Sequence, residues 1–120
     1  MPLPDKFPTS PEETEIVSKL LPDAIRLLEK DFQTAGIDIS FSSNSIADVY
    51  DLREIIAQHI AKTGGPGSEG FYRLLYRADI PESKTREALA AGPERPFDEV
   101  IAELLVIRAL QRTWFRKKYG

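Results

Sequence analysis

The stretch "FDEVIAELLVIRALQRTWFRKK", residues 97–118, decides the predicted fold. Between Val100 and Leu110 only Glu103 and Arg108 are charged, so apolar side chains would cover most of the circumference of a helix. Such a helix is typical of the inside of a bundle, where several neighbours contact it. We therefore predict a single-domain, all-α bundle of roughly four to six helices around a central C-terminal helix. Leu104 and Ile107 are predicted to be deeply buried in it.

The rest of the chain carries start and stop signals for further helices. Ser10, Pro11 and Glu13 predict an N-cap, a proline at the first helical position and a capping-box partner. Pro22 lies inside the apolar pattern that follows, and it predicts either one kinked helix or two short ones. Caps and breakers mark the remaining boundaries: Gly36, Ser45 with Asp48, Gly64, Ser68, Pro81, Gly92 and Pro96.

Residues 37–41 show a weak strand pattern, because Ile37, Ile39 and Phe41 alternate with polar residues. No partner strand is evident. We interpret the segment as an extended loop whose apolar side packs on the helices, with pairing to its own copy across a dimer as the alternative.

Composition limits the chemistry. A length of 120 residues is typical of a single domain. We divide the chain into an extended N-terminal arm, residues 1–9, and a helical domain, residues 10–120. It has no cysteine, which excludes disulfides, thiolate metal sites and cysteine nucleophiles. The first residues do not resemble a signal peptide, and no apolar run is long enough for a membrane span. We expect a cytoplasmic protein that does not bind membranes.

The segment "TGGPGSEGFYRLLYR", residues 63–77, contains G-x-G-x-x-G at Gly65, Gly67 and Gly70. A dinucleotide loop follows a strand, whereas the residues before this one have helical periodicity. A phosphate loop of the Walker type needs Lys and then Ser or Thr after its last glycine, and Phe71 follows here. We interpret the segment as a connection between two helices, capped by Ser68, and predict no cofactor.

No catalytic or metal motif is visible. His59 is the only histidine, and its place beside apolar positions predicts a core or boundary residue. Glu99 and Glu103 share a helical face, but no Glu-x-x-His pair accompanies them as in a di-iron bundle. We interpret them as a solvated acidic face and predict that the protein is not an enzyme.

Charge is distributed unevenly along the chain, whose net charge is −3. Residues 1–64 hold 11 acids and 6 bases, whereas the tail after Glu103 holds five bases and no acid. The tail cations could complement the helix dipole, or pair with the acidic half of the same or a second chain. With the aromatic residues among them they could also hold nucleic acid, but the net negative charge argues against this.

Residues 74–89 have the proportions of a helix-turn-helix, with Pro81 suited to the start of the second helix. The fit is imperfect: Asp79 stands where glycine is common, Leu75 is bulky, and Thr85 is polar where an apolar residue is usual. The second helix carries two acids and two bases, which attract phosphates poorly. A plain helical hairpin is the preferred interpretation.

These patterns favour a non-catalytic protein-interaction or regulatory module that acts as a homodimer or with another protein partner. A DNA-binding protein that uses residues 74–89 or the basic tail is the alternative. Trp114 and Tyr119 are further aromatic candidates for exposure. The candidate partner-binding residues are Tyr72, Tyr76, Arg108, Arg112, Arg116, Lys117 and Lys118.

Overall fold

Five α-helices form in the part of the chain that the computed structural model describes, residues 4–39, 41, 46–61 and 68–120. They are α1 (Pro11–Thr34), α2 (Val49–Ala61), α3 (Glu69–Arg77), α4 (Glu82–Ala91) and α5 (Phe97–Tyr119). Within these residues no strand occurs, so the prediction of an all-α fold is confirmed. None of the helices described is both long and apolar enough to cross a membrane.

The start of α1 follows the predicted pattern at Ser10 and Pro11, whereas Glu13 bonds to Thr9 rather than to the Ser10 amide, which a capping-box partner would contact. The Ser10 hydroxyl accepts a hydrogen bond from the Glu13 amide, at 3.2 Å, and Pro11 is the first helical residue. The Glu13 carboxylate accepts a hydrogen bond from the hydroxyl of Thr9 at 3.1 Å. The helix runs without interruption through Pro22, so it is one helix and not two.

The end of α1 turns sharply at Gly36, whose φ of 86° lies in the left-handed region that glycine adopts most easily. The Ile37 amide donates to the Phe32 carbonyl across this turn at 2.9 Å, which completes a Schellman motif. Beyond it, Ile39 and Phe41 are buried, and the Phe41 ring meets Phe32 edge-on at 6.5 Å. The interpretation as a loop packed on the helices is therefore confirmed at the described positions.

The C-terminal helix α5 packs against α1, α2 and α4, as predicted for a central helix. Its deepest residues form a wide stripe: Val100, Ile101, Ala102, Leu105, Val106, Ala109, Leu110, Thr113 and Trp114. Leu104 and Ile107 are only half-buried, so the prediction that they are deeply buried is wrong. They lie on the side of α5 that borders a hollow beside the start of α4, where no helix covers them fully.

Two helix starts fall beside segments that lie outside the described residues. The Asp48 carboxylate accepts hydrogen bonds from the amides of Tyr50 and Asp51, both at 3.0 Å, and caps α2. The Ser68 hydroxyl accepts from the Phe71 amide at 3.3 Å and caps α3 as predicted. The predictions for Ser45, Gly64, Gly65 and Gly67 concern residues outside the described part of the chain.

The N-terminal residues 4–9 lie against the bundle. Phe7 is buried, and its ring contacts the Tyr50 ring edge-on at 5.3 Å. The Gln111 side-chain amide on α5 donates to the Pro4 carbonyl at 2.7 Å. These contacts place Pro4 and Phe7 beside α5 and α2.

Candidate interaction surface

The exposed side of α3 carries alternating tyrosine and arginine. Tyr72 and Tyr76 are 50% and 80% exposed, and Arg73 and Arg77 are exposed beside them. A spacing of four residues puts each tyrosine one turn from the other, and each arginine likewise. The opposite side of this short helix is buried through Phe71, Leu74 and Leu75. The outer side is therefore exposed, and the buried inner side fixes the helix in position.

A shallow hollow of about 510 Å³ lies on this side of α3, and it reaches α1 at Thr34. A second hollow of about 360 Å³ runs between α1 and α5, with Leu27, Lys30 and Arg116 in its lining. Thr34 and Lys30 are successive turns of α1, and the Thr34 hydroxyl donates to the Lys30 carbonyl at 2.7 Å. The two hollows share no lining residue, but they border adjacent turns of α1.

We call the residues that line the two hollows the basic face. Its members are Asp23, Arg26, Leu27, Lys30, Thr34, Glu69, Tyr72, Arg73, Tyr76, Arg77, Thr113, Arg116 and Lys117. Six of them are cations and two are carboxylates, although the whole chain has a net charge of −3. Positive charge is therefore concentrated on this face.

Three cations of the C-terminal tail are paired within the chain. Arg112 contacts Asp31 of α1 at 2.7 Å, and Lys117 contacts Asp23 at 3.2 Å. These tail cations therefore find their carboxylates within one chain, and their pairing gives no separate reason for a second copy. The homodimer stays a prediction.

Arg108 is the third paired cation, and it fixes the turn between α3 and α4. Its guanidinium donates to the Asp79 carbonyl at 3.2 Å and lies 2.5 Å from the Asp79 carboxylate. Asp79 has a φ of 59°, so aspartate occupies the left-handed position that glycine often fills. Arg108 therefore has a structural role at this turn.

Thr85 on α4 is buried, and its hydroxyl has no hydrogen-bond partner among the described residues.

Three aromatic side chains contact one another at the C-terminal end of α5: Trp114, Phe115 and Tyr119. Trp114 is buried at 6% exposure, which contradicts its nomination as an exposed aromatic residue, because the indole packs into the core beneath α5. Tyr119 is 71% exposed and stacks on Phe115. The Lys118 ammonium lies 4.9 Å from the centre of the Trp114 ring, a cation–π contact.

The Asp31–Arg112 pair is the most deeply placed ion pair among the described residues, with side-chain exposures of 8% and 24%. Burial raises the pKa of the Asp31 carboxyl, while Arg112 opposes that rise by hydrogen bonding and attraction. The charges of Lys30 and Arg77 also favour the ionised carboxylate. Arg112 therefore links α5 to α1 through a salt bridge.

Glu99 and Glu103 do not form the solvated acidic face that their spacing predicted. Arg95 contacts both carboxylates at 3.0 Å, and Arg53 of α2 contacts Glu103 at 3.0 Å. These two carboxylates raise the pKa of the Arg95 guanidinium. The prediction overlooked Arg95, which lies four residues before Glu99, and it could not place Arg53, which lies 50 positions before Glu103 on α2. The cluster joins α2 to α5.

His59 is half-buried on α2, which agrees with its prediction as a boundary residue. Its Nδ1 lies 2.9 Å from the Ile55 carbonyl oxygen one turn earlier. Across the described ranges, no group of three or more histidine or acidic residues is arranged to hold a metal ion.

The structure brings together some of the predicted binding residues and adds others. Tyr72, Tyr76, Arg116 and Lys117 lie on the basic face, whereas Arg108 and Arg112 are structural ties and Lys118 covers Trp114. Sequence reasoning missed the contributions of α1 and of the α3 arginines: Arg26, Leu27, Lys30, Arg73 and Arg77. The spacing of four residues within each arginine or lysine pair was the available signal.

Comparisons of the chain with protein-family models, with curated proteins and with solved structures gave no match.

Proposed function

We propose that this protein is a non-catalytic interaction module that binds a protein partner through the exposed side of α3. The observation that carries the proposal is the pairing of Tyr72 and Tyr76 with Arg73 and Arg77 on one ordered helical face. Tyrosine and arginine are enriched among the residues that dominate binding energy in protein interfaces. A tyrosine that is 80% exposed, like Tyr76, contributes little to its own fold and is available for contact.

The charged clusters elsewhere support a binding role over a catalytic one. Arg53 and Arg95 neutralise Glu99 and Glu103, and Arg112 neutralises the most buried carboxylate, Asp31. Each of these groups holds helices together. Tyr76, the most exposed of the large aromatic side chains, lies instead on the α3 side, together with the half-exposed Tyr72.

We expect that Tyr72→Ala/Tyr76→Ala weakens binding of the natural partner at least about tenfold, because tyrosines of this kind act as anchors. The measurement is quantitative co-purification from cells that express the tagged chain, followed by affinity measurement with the partner so identified. Tyr119→Ala is the matched control, since Tyr119 is also exposed, at 71%, but lines neither hollow of the basic face. Equal binding by the double variant and the wild type, at unchanged thermal stability, would remove the basis of the proposal.

A DNA-binding role for α3 and α4 is the second candidate, and the left-handed turn at Asp79 favours it. The cations of α4 weaken it, because Lys84 and Arg86 each pair with a glutamate of the same helix, at 3.8 and 3.3 Å. Fluorescence anisotropy with duplex DNA at about 50 mM salt separates the two roles. Micromolar binding that is lost in Lys84→Ala/Arg86→Ala would place this candidate first.

A further inference from the structure

We propose that the partner contributes an acidic peptide segment with apolar side chains, and that this segment lies along the basic face from α3 to the groove between α1 and α5. The inference rests on the proposed interaction role and adds the chemistry of the partner. Its main support is the distribution of cations that have no carboxylate partner.

Most arginines and lysines of the described chain lie within ion-pair distance of a carboxylate, and three of the five exceptions lie on the basic face, the other two being Lys6 and Lys118. Lys30, Arg77 and Arg116 line its hollows, and no carboxylate of the described residues lies within ion-pair distance of them. Arg26 and Lys117 share one carboxylate, that of Asp23. The face therefore offers more positive charge than its own acids neutralise, which is what a carboxylate-bearing ligand requires.

The shape of the groove suits a peptide chain. Leu27 and Thr113 are buried where α1 and α5 meet, and cations stand along both sides of them. A peptide could place an apolar side chain against Leu27 and direct carboxylates to Lys30 and Arg116. From Asp23 to Thr34 the stripe of α1 rises about 17 Å, a distance that an extended peptide of about five or six residues spans.

Nucleic acid fits this surface less well than an acidic peptide. A polyanion responds to the summed field of the protein, and the chain as a whole is net negative. Asp23 and Glu69 also line the face and would repel a continuous run of phosphates. A short peptide interacts with the local charge, and the tyrosines of α3 offer it apolar contact as well as hydrogen bonds.

The test is a titration followed by fluorescence anisotropy at about 50 mM salt, with a labelled peptide of about twelve residues that contains Asp, Glu and Leu. A peptide with Asn and Gln in place of the acids, and a single-stranded DNA of similar length, are titrated in parallel. We expect the acidic peptide to bind with a Kd of about 100 μM or tighter. The neutral peptide and the DNA should bind at least about tenfold more weakly.

Charge reversal locates the site. Lys30→Glu/Arg116→Glu should weaken acidic-peptide binding at least about tenfold. The matched control is Lys84→Glu/Arg86→Glu, which makes the same change of net charge on α4, off the basic face. Equal losses in the two double variants would overturn the assignment to this face, and so would unchanged binding by Lys30→Glu/Arg116→Glu.

The same titrations distinguish failure of this inference from failure of the proposed function. Tight binding of DNA, or equal binding of the neutral peptide, overturns the acidic-peptide inference. The interaction role would still stand if co-purification depended on Tyr72 and Tyr76. If neither the acidic peptide bound nor co-purification depended on those tyrosines, both proposals would fail.

Discussion

Leu105→Ala is expected to lower the free energy of unfolding by about 2–5 kcal/mol, because the leucine is fully buried where α5 meets its neighbours. The loss combines the transfer of the removed side-chain atoms with the cavity that they leave behind. Urea denaturation followed by circular dichroism measures the change.

Leu104→Ala is the matched control, since it removes the same atoms one position earlier in the same helix. Leu104 is half-buried beside the hollow at the start of α4, so its loss should cost about 1 kcal/mol. Equal costs at the two positions would contradict the orientation of α5. A larger cost for Leu104 would mean that the sequence-based prediction was right and the packing described here is wrong.

Arg112→Met is expected to cost about 3 kcal/mol near neutral pH, because it leaves the Asp31 carboxylate buried without its partner. Methionine keeps the apolar length of the arginine side chain, so the change mainly tests charge. The charges of Lys30 and Arg77 near Asp31 offset part of the loss and place the effect at the lower end of the usual range.

The sign of the pH dependence provides a second check. Without Arg112 the folded-state pKa of Asp31 rises further above its unfolded value, so the folded state binds the proton more tightly. The stability of the variant should therefore fall as pH rises from the unfolded-state pKa of Asp31 to its folded-state pKa. The cost of Arg112→Met should shrink as pH is lowered towards about 4, where the carboxyl group is protonated. The double variant Asp31→Asn/Arg112→Met should regain most of the stability at neutral pH. A cost that does not change with pH, or no recovery in the double variant, would contradict a pair tied by charge.

Much of the helical framework could be predicted from local chemistry. Ser10 and Ser68 cap their helices as the sequence indicated, because a cap depends only on residues a few positions apart. The apolar run from Val100 to Leu110 correctly predicted a central helix, because a helix that is apolar around most of its circumference needs neighbours on several sides. It did not predict which side would be deepest, since that depends on where other helices pack.

Among the predicted binding residues, too, the features set by nearby residues could be predicted and the long-range contacts could not. Exposure of Tyr72 and Tyr76 was predictable, because the apolar residues of α3 fall on the other side of the helix. The fate of Arg108 and Arg112 was not, since Asp79 and Asp31 lie 29 and 81 positions away in the chain. Long-range ion pairs leave no periodic signal in a single sequence.

The central claim, that the exposed side of α3 binds a protein partner, is tested most directly by photo-crosslinking in living cells. A benzophenone amino acid is placed at Tyr76 in one chain and at Ser83, an exposed position on α4, in another. We predict a discrete crosslinked partner from position 76, which disappears when excess untagged wild-type chain competes but persists when the competitor carries Tyr72→Ala/Tyr76→Ala. No crosslink at position 76, or the same adducts from positions 76 and 83, would contradict the claim.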